Sequence, residues 1–185
     1  MTLRTRKAMQ AERMKFAYAD PPYIGMAKKH YGDHPDYAGE VDHRALVDRL
    51  VSEFPDGWAL SLSSPTLQII LPMCPDDVRV MSWVKPFASF KPGVNPAYAW
   101  EPVIVRGGRK SGRDVETVRD WVSAPITLQR GTHGAKPLQF CFWIFAVLGA
   151  RRGDELDDLF PGSGAVTKAW EQWIAQAKIP FEVTA

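Results

Sequence analysis

At 185 residues the chain is long enough for one domain with one sizeable core, and a composition 45% hydrophobic and 24% charged excludes a disordered or fibrous protein. A formal net charge of +2 sets up no strong field of either sign, so overall charge does not announce a nucleic-acid binder. The run 140–150 (FCFWIFAVLGA) is apolar but covers only about half a bilayer, which makes it a buried helix rather than a membrane span.

Residues 1–13 are polar and basic and read as a tail before a single domain over 14–185; no hydrophobic signal core follows them. KFAYA (15–19) is a short apolar run halted by prolines, a buried strand. Residues 24–41 are rich in Gly, Asp, His and Tyr without period and read as a loop. Its His30, Asp33, His34 and Asp36, with Asp42 and His43, are crowded but match no closed metal-site spacing, and Pro35 interrupts them, so no metal is expected. Lys28, Lys29 and Tyr31 in the same loop suit either phosphate contact and stacking or plain solvation. Over 42–54, Leu46, Leu50 and Phe54 fall at helical spacing behind Asp42, a good N-cap.

Residues 57–64 predict a strand, 65–73 a short helix opened by Pro65, and 78–85 and 97–107 two further strands. Arg106, Arg109, Lys110 and Arg113 cluster within eight residues among three glycines, which fits a solvated loop or a basic loop facing phosphates. Residues 108–135 read as irregular and exposed. A buried helix follows over 136–150, ending at Gly149. DLFPGSGAV (158–166) then reads as strand, glycine turn and helix, the amphipathic helix covering 165–177, and IPFEV (179–183) as a last short strand. Cys74 and Cys141 have no partner motif and read as buried thiols of a reducing compartment, the cytoplasm. Strands alternating with helices argue an α/β layered domain with a mostly parallel sheet.

Two stretches carry chemistry. Gly162 and Gly164 let the backbone take positive φ and approach a ligand, and the following helix offers unpaired N–H groups. The spacing is neither a dinucleotide fingerprint nor a phosphate loop. Asp20-Pro21-Pro22-Tyr23 is more specific. It gives one carboxylate at the carboxyl end of a strand, a turn stiffened by two prolines, and an aromatic face. An acceptor pair beside a stacking ring is what the exocyclic amine of a nucleobase requires.

DPPY (20–23) and DLFPGSG (158–164) together resemble the catalytic and cofactor motifs of S-adenosylmethionine-dependent DNA adenine-N6 methyltransferases. With the catalytic motif first and the cofactor loop last, the order is that of the circularly permuted class. WVKPFASFKPGVNPAYAWEPVIV (83–105) and GAKP (134–137) are similar to the middle segments of that class, including its mRNA adenosine type, and the wording is close to short phage and prophage methylases. The resemblance implies a Rossmann-like methyltransferase sheet, shortened on the cofactor side because only one strand can follow the glycine loop. It implies that Asp20 and the Pro21 carbonyl accept hydrogen bonds from the target amine, with Tyr23 stacking on the base. S-adenosylmethionine is then the cofactor, lined by Asp158, Phe160, Gly162 and Gly164, with Lys136 toward its carboxylate and Glu182 toward its ribose. Glu101 either steadies the active-site loops or pairs with Arg106 or Lys85. The implied partner is DNA, with RNA or a catalytically silent nucleic-acid-binding subunit as alternatives. Because no inserted target-recognition segment is visible, a homodimer or a partner subunit would supply recognition. A cytosine-N4 enzyme is disfavoured because Asp rather than Ser opens the motif.

Overall fold

The structure, a computed structural model, describes residues 13–25, 39–86, 92–110, 112, 115–127 and 135–176. Six strands form one sheet: β1 (Lys15–Ala19), β2 (Gly57–Ser61), β3 (Arg79–Val84), β4 (Trp100–Gly107), β5 (Trp121–Ser123) and β6 (Glu155–Asp158). Their order is β5-β3-β4-β2-β1-β6. β4 runs antiparallel to both neighbours, and every other pairing is parallel. Among the described residues four α-helices accompany the sheet: α1 (His43–Glu53), α2 (Ser64–Ile70, continued by a 3-10 turn to Met73), α3 (Leu138–Val147) and α4 (Ala165–Ala175). This is the expected mostly parallel α/β sheet. None of the described helices is long and apolar enough to cross a membrane.

Alternation along the strands sorts the core into two layers. Phe16 and Tyr18 of β1, Met81 and Trp83 of β3, Val103 and Val105 of β4 and Val122 of β5 pack with Phe140, Trp143, Phe145, Trp170 and Trp173 of α3 and α4. Ala17 and Ala19 of β1, Trp58 and Leu60 of β2 and Ile104 of β4 pack with Leu46, Val47 and Leu50 of α1 and Ile70 of α2. α1 begins as its sequence indicates, the Asp42 carboxylate accepting from the Ala45 N–H at 3.0 Å. α3 is apolar on all sides because helix α4 covers its outer face, with Phe142 and Phe145 against Trp173.

One expectation is corrected. Within 108–135, read as irregular and exposed, Trp121–Ser123 is a strand parallel to β3, with Val122 and Ala124 buried and the Trp83 indole N–H donating to the Ala124 carbonyl at 2.8 Å. Three residues carry too little alternation to be seen, and tertiary packing makes the strand. The tail up to residue 12 and the expected last strand over 179–183 lie outside the described residues.

Candidate active site

Five strands deliver residues to one end of the sheet. Asp20 follows the carboxyl end of β1, Asp158 ends β6, Ser61 ends β2 and Lys85 follows β3; antiparallel β4 begins there with Trp100 and Glu101. β1 and β6 are adjacent, with Tyr18 opposite Asp158. The acidic turn and the glycine loop therefore lie side by side, although 138 positions of chain separate Asp20 from Asp158.

Strand parity explains what meets there. Asp20 continues the Phe16–Tyr18 side of β1, Lys85 the Met81–Trp83 side of β3, and Glu101 the Val103–Val105 side of β4, so all three project toward α3. Lys136, two residues before α3, receives the two carboxylates. Its ammonium lies 3.0 Å from Asp20 Oδ1 and 3.4 Å from Glu101 Oε2 with a side chain only 6% exposed. Lys85 pairs with the other Glu101 oxygen, and Glu101 also accepts from the Tyr23 hydroxyl. Both ammonium groups lie against the Trp83 ring, Lys85 at 5.0 Å and Lys136 at 5.2 Å from its centroid, and Lys136 is 5.7 Å from that of Phe140. The result is a neutral set of two carboxylates and two ammonium groups that joins both ends of the DPPY turn to β3, β4 and α3.

The electrostatics follow from burial and pairing. Burial pushes the Asp20 carboxyl above the usual carboxylate range, against the opposing pull of Lys136. Glu101 is buried too, but Lys136, Lys85 and the Tyr23 hydroxyl together outweigh burial and hold its carboxyl below the usual range. Burial would lower the Lys136 ammonium, yet Asp20 and Glu101 raise it, so it stays charged. Beneath Asp20, the Tyr18 hydroxyl and Ser61 Oγ are 2.8 Å apart, and burial followed by the Asp20 charge keeps that phenol well above its ordinary value.

On the β6 side, burial raises the Asp158 carboxyl, opposed by the Thr167 hydroxyl, which donates to Oδ2 at 3.2 Å, and by the Phe160 main-chain N–H. Asp158 Oδ1 is buried without a hydrogen-bond partner among the described residues. Gly162 has φ +47° and Gly164, the N-cap of α4, φ +71°. A Cβ built on Gly164 would meet no described protein atom within 4 Å. No side chain caps α4, so its first N–H groups have no side-chain acceptor among the described residues. An orphaned buried acceptor, an uncapped helix start and a glycine-lined gap suit a ligand that brings both an ammonium and a carboxylate.

The other sequence-derived residues fall elsewhere. Arg106, Arg109 and Lys110 sit at the opposite end of the sheet, because Gly107 pairs with Gly57 at the start of β2. Arg109 is 12% exposed and holds Asp154 through contacts of 2.6 and 2.8 Å, and Arg106 Nε pairs with Asp77 at 2.7 Å. The structure does not bring them to Asp20. Lys28, Lys29, Tyr31, Arg113 and Glu182 lie outside the described residues, as do His30, Asp33, His34 and Asp36. Sequence reasoning did not single out Trp83 as the floor under both ammonium groups or Thr167 as a partner of Asp158. Strand parity could have found the first, since Trp83 and Lys85 are two residues apart.

No protein-family model matches this chain, and no curated protein sequence matches it. Solved structures do. A structure of the M1.HpyAVI–SAM complex superposes with a TM-score of 0.58 at 14% identity, covering 92% of this chain and 83% of that one. A structure of M1.HpyAVI alone gives 0.53 at 15% identity, covering 92% and 82%. At these identities the likeness shows a shared Rossmann-like fold.

Proposed function

We propose that this protein transfers a methyl group from S-adenosylmethionine to the exocyclic N6 of adenine in DNA. The observation that carries the reading is the adjacency of the Asp20–Tyr23 turn and the Asp158–Gly164 loop at one end of the sheet, on neighbouring strands β1 and β6. Of the described strands, the acidic turn is on the first and the glycine loop on the last, which fits the circularly permuted arrangement. Fold likeness to a protein whose structure includes SAM supports the choice of cofactor.

The residues fit that cofactor in kind. Asp158 offers its unpartnered oxygen to an ammonium, and Gly162, Gly164 and the start of α4 offer room and N–H donors. Lys136 uses two of its three donor directions on Asp20 and Glu101, leaving one for a carboxylate. When bound, S-adenosylmethionine supplies an electrophilic methyl group.

The protein's part is to present the nucleophile. Adenine N6 is a poor nucleophile because its lone pair is delocalised into the ring. Lys136 occupies Asp20 Oδ1, which leaves Oδ2 to accept one amine proton while the Pro21 carbonyl accepts the other. Two acceptors fix the nitrogen's orientation and favour positive charge developing on it. Asp20 need not be a strong base, since the alkylated amine loses its proton readily. Tyr23, its hydroxyl tied to Glu101, presents a ring of fixed position to the extruded base.

The test is transfer of labelled methyl from S-adenosylmethionine to oligonucleotides of DNA and of RNA. One set contains adenine, and a matched set carries purine without the exocyclic amine. Label is expected in adenine-containing DNA only. Label in both sets would reject N6 as acceptor, and label in RNA alone would move the substrate to RNA.

A further inference from the structure

Among the described residues the two faces of the sheet are not equally covered. Alternation puts Val80, Ser82 and Val84 of β3, Trp100 of β4 and Trp121 and Ser123 of β5 on the α1–α2 side. α1 and α2 cover β1, β2 and the middle of β4 there, and no residue of β3 or β5 joins that core layer among the described residues. Val80 is 41% exposed, Trp100 40% and Trp121 42%; Tyr98, two residues before β4, is 57% exposed. Exposed tryptophans on a bare sheet face call for a ligand.

This face meets the candidate active site at one end of the sheet. Trp100 begins β4 at that end, the peptide neighbour of Glu101 but with its side chain on the opposite face. Trp121 lies two strands from Trp100 and two residues lower in register, about 12 Å away at ordinary sheet spacings. The two rings would therefore carry different bases. The Arg119 guanidinium lies 5.5 Å from the Trp121 ring centroid, a cation beside a stacking face. Hydroxyl-bearing Ser82 and Ser123 lie between the tryptophans. Spaced stacking rings with a cation beside one of them are what successive unpaired bases require.

We propose that this face, with Tyr98, Trp100 and Trp121 as its aromatic steps, binds unpaired nucleotides flanking the target base. The inference rests on the methyltransferase reading and makes its substrate single-stranded nucleic acid. Arg106, the arginine toward the amino end of this face, is already paired with Asp77. Stacking rather than phosphate contact then holds the strand, and salt dependence is shallow.

The test is fluorescence anisotropy of a labelled adenine-containing oligonucleotide, as single strand and as duplex, without cofactor. Trp100→Ala and Trp121→Ala are each expected to weaken single-strand binding about 10-fold, while Trp100→Phe and Trp121→Phe stay within about 3-fold of wild type. S-adenosylmethionine affinity by calorimetry should not change. Photo-crosslinking of 5-iodouracil-containing strands to the wild-type protein gives a second readout that needs no variant, and adducts are expected at Trp100 or Trp121. Wild-type affinity in the alanine variants, a duplex bound more tightly than the strand, or adducts confined to other segments would overturn the proposal. A change of oligomeric state in the alanine variants by sedimentation velocity would also overturn it, by making the face a protein interface. Strand binding needs no turnover, so loss of methyl transfer alone counts against the enzyme reading and not against this surface.

Discussion

Replacing Lys136 by Met removes a buried ammonium 3.0 Å from Asp20 and 3.4 Å from Glu101. At an effective dielectric constant of about 20 the two attractions are each worth roughly 5 kcal/mol gross, most of it offset by the cost of burying the charges. Breaking one member out of a buried ionic set costs about 3–5 kcal/mol, here because Asp20 loses its ion-pair partner and faces a Glu101 whose remaining ion-pair partner is Lys85. In a domain of this size that lowers Tm by on the order of 10 °C. The pH dependence has a definite sign. In the wild type the Asp20 carboxyl already titrates above its unfolded value. Without Lys136 it must rise further, so the folded variant binds a proton that the unfolded chain gives up. Stability lost at neutral pH therefore returns as pH falls through the raised Asp20 value. Urea denaturation of both proteins at pH 7 and pH 5 measures this, and the gap between them should narrow at pH 5. A gap below about 1 kcal/mol at pH 7, or one that widens at pH 5, would refute the assignment of Lys136 as the ion that keeps Asp20 charged.

Tyr23→Phe removes the hydroxyl that donates to Glu101 and should cost about 1–2 kcal/mol of stability by denaturation and several-fold in turnover, whereas Tyr23→Ala should also weaken base binding by roughly 1–3 kcal/mol. A Phe variant indistinguishable from wild type would dissociate the hydroxyl from the site. Gly164→Ala forces a side chain into left-handed backbone at φ +71° but strikes no described protein atom, so stability should fall by only about 1–2 kcal/mol while calorimetry shows a larger loss of S-adenosylmethionine affinity. Unchanged affinity would show that the open space beside Gly164 is not ligand space. Neutralising Arg106 and Lys110, at the far end of the sheet, should leave the salt dependence of oligonucleotide binding unaltered. A slope reduced by about one unit per residue would bring that end into the interface.

The site was legible where chemistry and local pattern coincide. β1 announces itself by an apolar run cut by two prolines, and α1 by Asp42 three residues ahead of the N–H it caps. The side-by-side placement of β1 and β6 was not legible from spacing, and entered the sequence reading only through resemblance. Lys136 could be named from the chain, but not its two carboxylate partners, which stand 116 and 35 positions away and meet it only through strand parity. The arginine cluster shows the converse. Neighbours in sequence look like one patch, yet Arg109 is drawn inward to Asp154, 45 positions on, and antiparallel β4 carries Arg106, Arg109 and Lys110 to the end of the sheet away from Asp20. β5 was invisible because its burial comes from β3 and Trp83 rather than from its own three residues.

The central claim, that the Asp20 carboxylate holds the target amine beside a cofactor bound at the β6 loop, is tested most directly by one paired measurement. Wild type and Asp20→Ala are each titrated with S-adenosylmethionine by calorimetry, then incubated with cofactor and adenine-containing single-stranded DNA, and the nucleosides are analysed by mass spectrometry. The expected result is comparable cofactor binding by both proteins, with N6-methyldeoxyadenosine formed by the wild type and none above background by Asp20→Ala. Product from Asp20→Ala within a few-fold of wild type, or a wild type that binds cofactor yet methylates no nucleic acid, would contradict it.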